Sequence, residues 1–458
     1  MSIKGLKAAA GLALTCAASI ALLPASAFSS AATPTLEVQF LDPPKSARPR
    51  VWWHWLNGNV TKAGIAQDLD WMERVGIGGL QNFDVDLNTP VLVKNRLVYM
   101  TPEWKDAFRF AASEAERRGL ELAIAASPGW SETGGPWVAP KDGLKKLVWS
   151  ETLVAGGKRF TGKLSARPGT TGAYQDLPFF DPLAALSGDA GHKALPQYSS
   201  EVAVFAIPTN VAALPQPMIR DREGKSLDAA ALTDASLASG IDLPRGSAEA
   251  PASLVADYGK LVTVRSATLF VRGASAMFFG ATLVPQLEAS ADGKSWTAVG
   301  TIPAAQVPTT ISFAPVTARL FRVTLNPAPA AGANMGNPAP GIEPPMFFAA
   351  MAAGGGKNHR LAQFSLSGDA MVDRFEAKAG FALEHNYFDF KLTDNAAPAV
   401  PLGQVVNLTD RVKPDGTLDW TVPKGNWKIV RIGYSLLGTT NHPAPAEATG
   451  LEVDKFDG

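Results

Sequence analysis

Residues 50–75 combine a short aromatic run with a stretch in which apolar residues have helical spacing. Residues 52–56 (WWHWL) are apolar and aromatic, and residues 57–59 (NGN) interrupt them, as in a buried strand that ends in a polar turn. Thr61 can cap a following helix, on which apolar residues recur at intervals of four, three and three positions. These residues are Ile65, Leu69, Met72 and Val75. The pattern predicts a strand followed by an amphipathic helix.

Two further strands and one further helix follow the same alternation. Residues 78–85 predict a second strand, Thr101 and Pro102 suit the start of a second helix, and residues 120–126 predict a third strand. Residues 48–150 therefore contain three β/α steps, about the first third of a (β/α)₈ barrel, with parallel strands. Because ligands of such folds lie outside the carboxyl ends of the strands, we expect both core and active-site residues here.

The pattern changes after residue 150. Residues 150–400 contain no convincing amphipathic helix but many short strand-like runs between Gly, Pro, Asn and Asp, which indicates a β-sandwich. Residues 286–300 (QLEASADGKSWTAVG) resemble the strand, Asp-Gly turn, Trp and strand of galactose-binding or discoidin-like sandwiches, and this resemblance covers about residues 250–370. Such sandwiches either bind sugars or serve as structural insertions, and the sequence leaves both roles open.

The predicted fold class is therefore α/β plus all-β. An incomplete (β/α)₈-barrel-like catalytic domain begins in residues 28–150, and a β-rich insertion with the sandwich occupies residues 151–400. Residues 401–458 return towards the catalytic domain, through a strand predicted at residues 427–434. Because three β/α steps cannot close a barrel, the catalytic domain is expected to be truncated at Gly458.

Charge and composition narrow the functional classes. The 458 residues include 42 Lys and Arg and 42 Asp and Glu, so no basic field points to nucleic acid. A hydrophobic fraction of 46% fits a globular protein of two or three domains with a substantial core. We find no nucleophile elbow, no HExxH helix and no phosphate-binding glycine loop, which argues against esterase, metalloprotease and nucleotide-dependent activities.

The N-terminus predicts export. Lys4 and Lys7 precede an apolar stretch at residues 8–23, and a small-residue cleavage site completes a signal peptide of residues 1–27. Small and polar residues follow, so no membrane anchor is expected after cleavage. Cys16 is the only cysteine, which excludes disulfides and thiolate metal sites in the mature chain. A periplasmic or secreted location is predicted.

Carboxylates and aromatic residues are the candidate chemical groups. A pair of carboxylates can hydrolyse a glycosidic bond, one as proton donor and the other as nucleophile or activator of water, and clustered carboxylates can also hold Ca²⁺. Tryptophans beside them suit the apolar faces of sugars, although core packing and a structural histidine are the alternative interpretations. The candidates are Asp84, Asp86, Glu132, Glu447, Glu452 and Asp454, with Trp52, Trp53, Trp55, Trp130 and Trp137.

Several motifs, taken in order, resemble glycoside hydrolase family 106, the bacterial α-L-rhamnosidases. They are residues 52–61 (WWHWLNGNVT), Gly78-Gly79 with Phe83-Asp84, residues 100–104 (MTPEW), residues 127–137 (SPGWSETGGPW) and residues 450–455 (GLEVDK). The resemblance implies an inverting, Ca²⁺-dependent hydrolase that cleaves terminal α-L-rhamnosyl linkages in a rhamnose-containing glycoside or polysaccharide. It also implies a (β/α)₈-like catalytic domain with appended β-domains.

The resemblance assigns roles to residues of this chain. Glu452 is expected to activate water, Glu447 to bind calcium, and the general acid to lie beyond Gly458. Substrate contacts are expected from His54, Trp55, Asn57, Asp84, Trp130 and Glu132. Because an inverting enzyme needs both carboxyl groups, a non-catalytic carbohydrate-binding protein or an inactive fragment is the alternative.

Overall fold

The computed structural model shows a mostly β protein with few helices. The described residues are 35–456 except 88, 170, 176, 178–195, 210–213, 235, 238, 277–279, 329–356, 370, 383–387, 389 and 391–399. The α-helices are α1 (Leu36–Leu41), α2 (Lys62–Arg74), α3 (Pro102–Arg117), α4 (Ala230–Thr233) and α5 (Phe375–Lys378). The predicted signal peptide lies outside the described residues. In the part of the chain that is described, no helix has the length and apolar character needed to cross a membrane.

Nineteen strands are assigned within these residues. The first nine are β1 (Arg50–Leu56), β2 (Gly79–Val85), β3 (Glu121–Ile124), β4 (Lys145–Ala155), β5 (Arg159–Lys163), β6 (Ser199–Thr209), β7 (Met218–Asp221), β8 (Ser226–Leu227) and β9 (Ile241–Pro244). The next are β10 (Ser253–Arg272), β11 (Ser275–Ala276), β12 (Gly280–Ala281), β13 (Leu283–Ser290), β14 (Thr297–Thr301) and β15 (Thr309–Pro327). The last are β16 (Asn358–Ser367), β17 (Val406–Asn407), β18 (Thr417–Thr421) and β19 (Asn426–Leu436).

The predicted β/α steps form a three-stranded parallel sheet in the order β1-β2-β3. The Thr61 hydroxyl accepts a hydrogen bond from Gly64 N at 3.1 Å and caps α2, while Thr101 caps α3 in the same way. Buried apolar residues of α2 and α3 pack with Trp53 and Trp55 in one core. These strands and helices are confirmed. No closed barrel is formed by residues 35–456 where they are described, so the (β/α)₈ architecture stays a prediction.

Alternation along β1 divides its aromatic residues between the two faces of the sheet. Trp53 and Trp55 are buried towards the helices, whereas Trp52 is 64% exposed and His54 lies on the same face as Trp52. The ring centroid of Phe83 on β2 lies 5.3 Å from Trp52 and 5.5 Å from His54. The sheet therefore has an apolar face covered by helices and an open aromatic face.

The middle of the chain forms an eight-stranded antiparallel sheet with a single large core. The long strands β10 and β15 pair along their length, with register shifts at which the strands bend. The first part of β10 pairs with β7, and its last part pairs with β16. Inward residues from both parts, among them Leu254, Leu269, Phe321 and Phe364, pack in the same core. This arrangement confirms sandwich elements in the region where they were predicted.

A separate four-stranded sheet has the order β17-β6-β19-β4, and β5 pairs with β18. Strand β19 was expected to return the chain to the first domain, but it pairs with β4 and β6 over its whole length. The return is made instead by the residues that follow β19. Strand β4 crosses residue 150, the predicted start of the insertion. The domain boundaries at residues 150 and 400 stay predictions.

Candidate active site

Residues 437–454, here called the crossing segment, lie over the carboxyl ends of the parallel strands. They contact the chain after β2 and the loop of residues 127–137 after β3, here called the tryptophan loop. Three backbone hydrogen bonds make these contacts: Asp86 N to Pro443 O (3.2 Å), Trp130 N to His442 O (2.9 Å) and Gly135 N to Leu451 O (3.1 Å). The structure therefore brings the predicted residues Glu447 and Glu452 to the edge where parallel α/β folds bind ligands.

Asn441 is a buried link that the sequence analysis did not single out. Its side chain is 0% exposed, and Nδ2 donates hydrogen bonds of 3.0 Å to both Pro128 O and Ala448 O. Its Oδ1 accepts a hydrogen bond of 2.7 Å from Gly450 N. Because these bonds satisfy the amide on both sides, Asn441 holds the crossing segment on the tryptophan loop. Its only sequence signal is an amide within a Pro-rich turn.

His54 and Trp130 form a direct contact on the open aromatic face. Trp130 Nε1 donates a hydrogen bond of 3.0 Å to His54 Nε2, and the two ring centroids lie 6.0 Å apart. Burial lowers the pKa of His54. The ring is therefore neutral near pH 7, and because Nε2 accepts, Nδ1 carries the proton. Trp130 remains 39% exposed, so this pair is accessible to a ligand.

Trp55 and Asp84 lie on the opposite, helix-covered face. Trp55 is 1% exposed and packs against Trp104 of α3, so its position does not support the predicted substrate contact. Asp84 is 5% exposed, and its Oδ1 accepts a 2.9 Å hydrogen bond from Trp104 Nε1. Asp84 and Trp55 face the same side because they are register partners in the parallel sheet. Neither side chain lies on the face that carries His54.

Burial determines the protonation of Asp84. Desolvation, helped by the negative charge of Glu447, raises its pKa to about 7, although the hydrogen bond from Trp104 opposes the shift. Desolvation, together with the charge of the Asp84 carboxylate, raises the pKa of Tyr99 to about 12. Asp84 thus contributes a carboxyl group that is partly protonated near neutral pH. It lies near the carboxyl end of β2, on the helix-covered face.

Arg96 connects two predicted site residues and was not identified from the sequence. Its Nε donates to Asn57 Oδ1 at 2.7 Å and to Asn57 O at 2.9 Å. Its Nη2 lies 2.5 Å from Glu447 Oε1. Asn57 has a φ of 48°, and its Nδ2 donates to Thr89 O at 2.6 Å. Arg96 lies in the loop between β2 and α3, where no periodic pattern marks a functional residue.

Glu452 is 8% exposed, and its backbone is held on both sides. Its N donates to Thr439 O at 3.0 Å, and its O accepts from Leu144 N at 2.9 Å. Lys455 Nζ lies 3.3 Å from Glu452 Oε2. The result is a carboxylate held in position, with one cationic partner among the described side chains. Glu132 of the tryptophan loop is exposed, and its neighbours Trp130 and Ser131 both hydrogen-bond to His442 of the crossing segment.

Comparisons with known proteins agree with this arrangement. The sequence matches the profile of glycoside hydrolase family 106, described as alpha-L-rhamnosidase, over residues 41–458. The chain belongs to this family. The structure of a rhamnosidase from Novosphingobium sp. PP1Y shares 52% identity and a TM-score of 0.76, over 93% of this chain. A protein of Formosa agariphila, provisionally named a beta-glucuronidase, is 42% identical over 142 residues, or 31% of this chain.

The family member described here is short relative to these proteins. It covers 36% of the Novosphingobium rhamnosidase and 12% of the Formosa protein. Family membership is therefore shown for residues 41–458. It does not by itself show that this chain has the activity of a whole rhamnosidase.

The calcium site implied by the family is not apparent among the side chains that are described. No group of three or more His, Cys, Asp or Glu residues lies close enough to hold a metal within those residues. Glu447, the predicted ligand, forms an ion pair with Arg96, which competes with a cation for the same oxygen. The prediction of calcium binding thus depends on the family resemblance alone.

Proposed function

We propose that this chain supplies the N-terminal part of an exported α-L-rhamnosidase active site. The proposed reaction is hydrolysis of a terminal α-L-rhamnosyl linkage with inversion, in which Glu452 activates water. The main support is the placement of Glu452 and the His54–Trp130 pair by the crossing segment and the tryptophan loop at one strand-end edge. Family membership supports the same reaction class.

Glu452 fits the role of general base for two reasons. Its backbone is held by hydrogen bonds on both sides, and among the described side chains its carboxylate has a single cationic partner. Among described side chains its ion-pair partner is Lys455, whose Nζ lies 3.3 Å from Oε2. A base must be ionised and must reach a water molecule that attacks the sugar. In an inverting reaction the second carboxyl group lies about 6.5–9.5 Å away, which leaves room for this water.

The open aromatic face suits the apolar side of a sugar ring. Trp52 is 64% exposed and Trp130 is 39% exposed, and they flank His54. Rings in this position bury C–H groups of a sugar, while a neutral imidazole can donate a hydrogen bond from Nδ1 to a hydroxyl. We therefore assign substrate contact to His54 and Trp130. For Asn57, Asp84 and Glu132 the role stays a prediction.

Hydrolysis of p-nitrophenyl α-L-rhamnoside by the purified chain tests the proposal, because p-nitrophenolate leaves without protonation and this substrate therefore does not require the general acid expected beyond Gly458. Replacing a general base typically costs about 10²- to 10⁴-fold in rate, so we expect Glu452→Gln to lose that much activity. Glu116→Gln is the matched control, because Glu116 is exposed on the outer face of α3. NMR of the released sugar distinguishes inversion from retention. Binding of rhamnosides without release would favour the alternative of a non-catalytic carbohydrate-binding protein.

Calcium and export are further parts of the proposal. A chelator should abolish hydrolysis and added Ca²⁺ should restore it if the ion orients the sugar hydroxyls as the family resemblance implies. Mass spectrometry of the protein recovered from the periplasm or medium should show cleavage after residue 27. Full activity in excess chelator would contradict the calcium assignment, and an uncleaved cytoplasmic chain would contradict export.

A further inference from the structure

The outer face of the sandwich carries an open groove that is distant in sequence from the strand-end edge. Its volume is about 570 Å³. Its polar lining includes Arg222, Ser253, Gln286, Glu288, Arg322 and Thr324. Most of its lining residues come from β10, β13, β14 and β15, which are neighbours in one sheet. A volume of this order is typical of sites that bind small molecules.

Alternation along the strands makes this face polar. On β15 the side chains of Phe321, Val323 and Leu325 are buried in the core, whereas Arg322 and Thr324 point outwards and are partly exposed. The same alternation on β13 turns Gln286 and Glu288 outwards. The outward-facing side chains are therefore polar groups that can donate hydrogen bonds to sugar hydroxyls or accept them.

Strand register aligns these groups in two rows across the sheet. Ser253, Thr324 and Gln286 are successive register partners, as are Arg322 and Glu288. Among the described residues, the hydroxyls of Ser253 and Thr324 have no hydrogen-bond partner. Gln286 Nε2 donates to Thr301 Oγ1 at 2.9 Å, and its second N–H and Oε1 remain for a ligand. Adjacent hydroxyl and amide groups that can both donate and accept match the vicinal hydroxyls of a sugar.

Arg322 is rigidly held at one end of the groove. Its guanidinium lies 4.2 Å from the ring centroid of Trp296, and its Nε donates to Glu288 Oε2 at 2.8 Å. Its Nη2 lies 2.8 Å from the same carboxylate oxygen, so Glu288 Oε1 remains available to accept from a ligand. A held guanidinium beside a free carboxylate oxygen gives a preformed donor and acceptor pair.

The charge of the groove favours an acidic ligand. Its charged lining residues are two arginines, Arg222 and Arg322, and one glutamate, Glu288, which leaves one positive charge. Arg222 is exposed and donates to Pro251 O at 3.4 Å, and no carboxylate pairs with it in the part of the chain that is described. A carboxylate on a ligand would give this guanidinium the partner that it lacks.

We propose that the groove binds a short oligosaccharide that carries a carboxylate, with Arg222 on the carboxylate and the Ser253, Thr324 and Gln286 row on the hydroxyls. This site is independent of the proposed rhamnoside hydrolysis. It would hold an acidic glycan at the sandwich without taking part in bond cleavage.

Isothermal titration calorimetry of the full chain with trigalacturonic acid and with its carboxyl-reduced, neutral counterpart tests the proposal. The acidic trisaccharide should bind more tightly, and Arg222→Gln should reduce its affinity about two- to fivefold, as for an exposed charge pair, and remove most of the preference. Arg322→Gln should reduce binding of both sugars about tenfold, because it loses the Trp296 contact and the orientation of Glu288.

Arg319→Gln is the matched control on the same strand. Arg319 is exposed and pairs with Asp257 through two hydrogen bonds of 2.9 and 2.7 Å, but it does not line the groove. Its variant should bind both sugars as the wild type does, and hydrolysis of p-nitrophenyl α-L-rhamnoside should be unchanged in all three variants. Equal affinity for the two sugars, no binding of either, or equal losses in Arg319→Gln would overturn the proposal.

Discussion

The parallel sheet and the sandwich place their polar side chains in different ways. Around β1 to β3 the candidate site lies at strand ends, and its parts come from distant chain segments, such as Asn441 and Pro128, which are 313 positions apart. In the sandwich, polar groups alternate with core residues along neighbouring strands, and register alone aligns them. The strand-end site therefore depends on how loops meet, whereas the groove depends on the strand pattern itself.

The largest expected effect separates the two faces of the parallel sheet. Trp55→Ala should lower the free energy of unfolding by about 3–5 kcal/mol, because it leaves a cavity in the helix-covered core. Trp52→Ala, three residues earlier on the same strand and on its opposite face, should cost under about 1 kcal/mol because its ring is 64% exposed. Urea unfolding measures both. Equal losses would contradict the division of β1 into a core face and an open face.

A pH-dependent effect is expected from Asp84, which is buried next to the same core. Its pKa rises from 3.8 in a model compound to about 7 in the fold, so the folded state retains a proton that the unfolded state releases. This stabilisation is present below about pH 4 and is lost as the pH rises through 7. At pH 8, Asp84→Asn should be more stable than the wild type by about 2–4 kcal/mol, with little difference at pH 4.

Asp68→Asn is the control for this pH dependence. Asp68 also accepts an indole hydrogen bond, from Trp53 Nε1 at 2.9 Å, but it is exposed on α2. Its variant shows how much the stability changes between pH 4 and pH 8 when an exposed carboxylate with the same kind of hydrogen bond is replaced. If Asp84→Asn gave the same pH dependence as Asp68→Asn, the desolvation of Asp84 would be much weaker than its burial indicates.

The smallest expected effects compare a helix cap with a cross-strand pair. Thr101 accepts a hydrogen bond of 3.4 Å from Trp104 N at the start of α3, and Thr101→Ala should cost about 1 kcal/mol, with Thr101→Ser near zero. In the sandwich, Thr263 and Thr317 share a hydrogen bond of 2.8 Å at the surface, and Thr263→Ala should cost about 0.5 kcal/mol. Thermal unfolding would show the reverse order if the cap were poorly formed.

Local patterns were sufficient to predict the β/α steps and the sandwich region. The helix spacing of Ile65, Leu69 and Met72 and the caps at Thr61 and Thr101 all formed as expected. The family motifs also selected segments that meet at the strand-end edge. These features could be predicted because residue spacing, helix caps and short motifs are each contained in a short stretch of sequence.

Side-chain direction and long-range partners could not be predicted in the same way. His54 and Trp55 are neighbours in sequence but lie on opposite faces, and only the position of the helices determines which face is buried. Arg96 and Asn441 each have a partner more than 300 residues away, and neither lies in a periodic pattern. The chain returns to the parallel sheet only after β19, because β19 itself pairs with β4 and β6. Such long-range pairing is not visible in the local sequence.

The indole N–H signal of Trp130 in a ¹⁵N NMR titration with L-rhamnose most directly tests whether the strand-end edge is the sugar site. Because Trp130 Nε1 contacts His54 on the open face, its signal, assigned with Trp130→Phe, should shift with saturable dependence on rhamnose. The signals of buried Trp104 and of Trp296 in the sandwich should not shift. A stationary Trp130 signal in a folded chain, with shifts confined to Trp296, would contradict a rhamnose site at this edge.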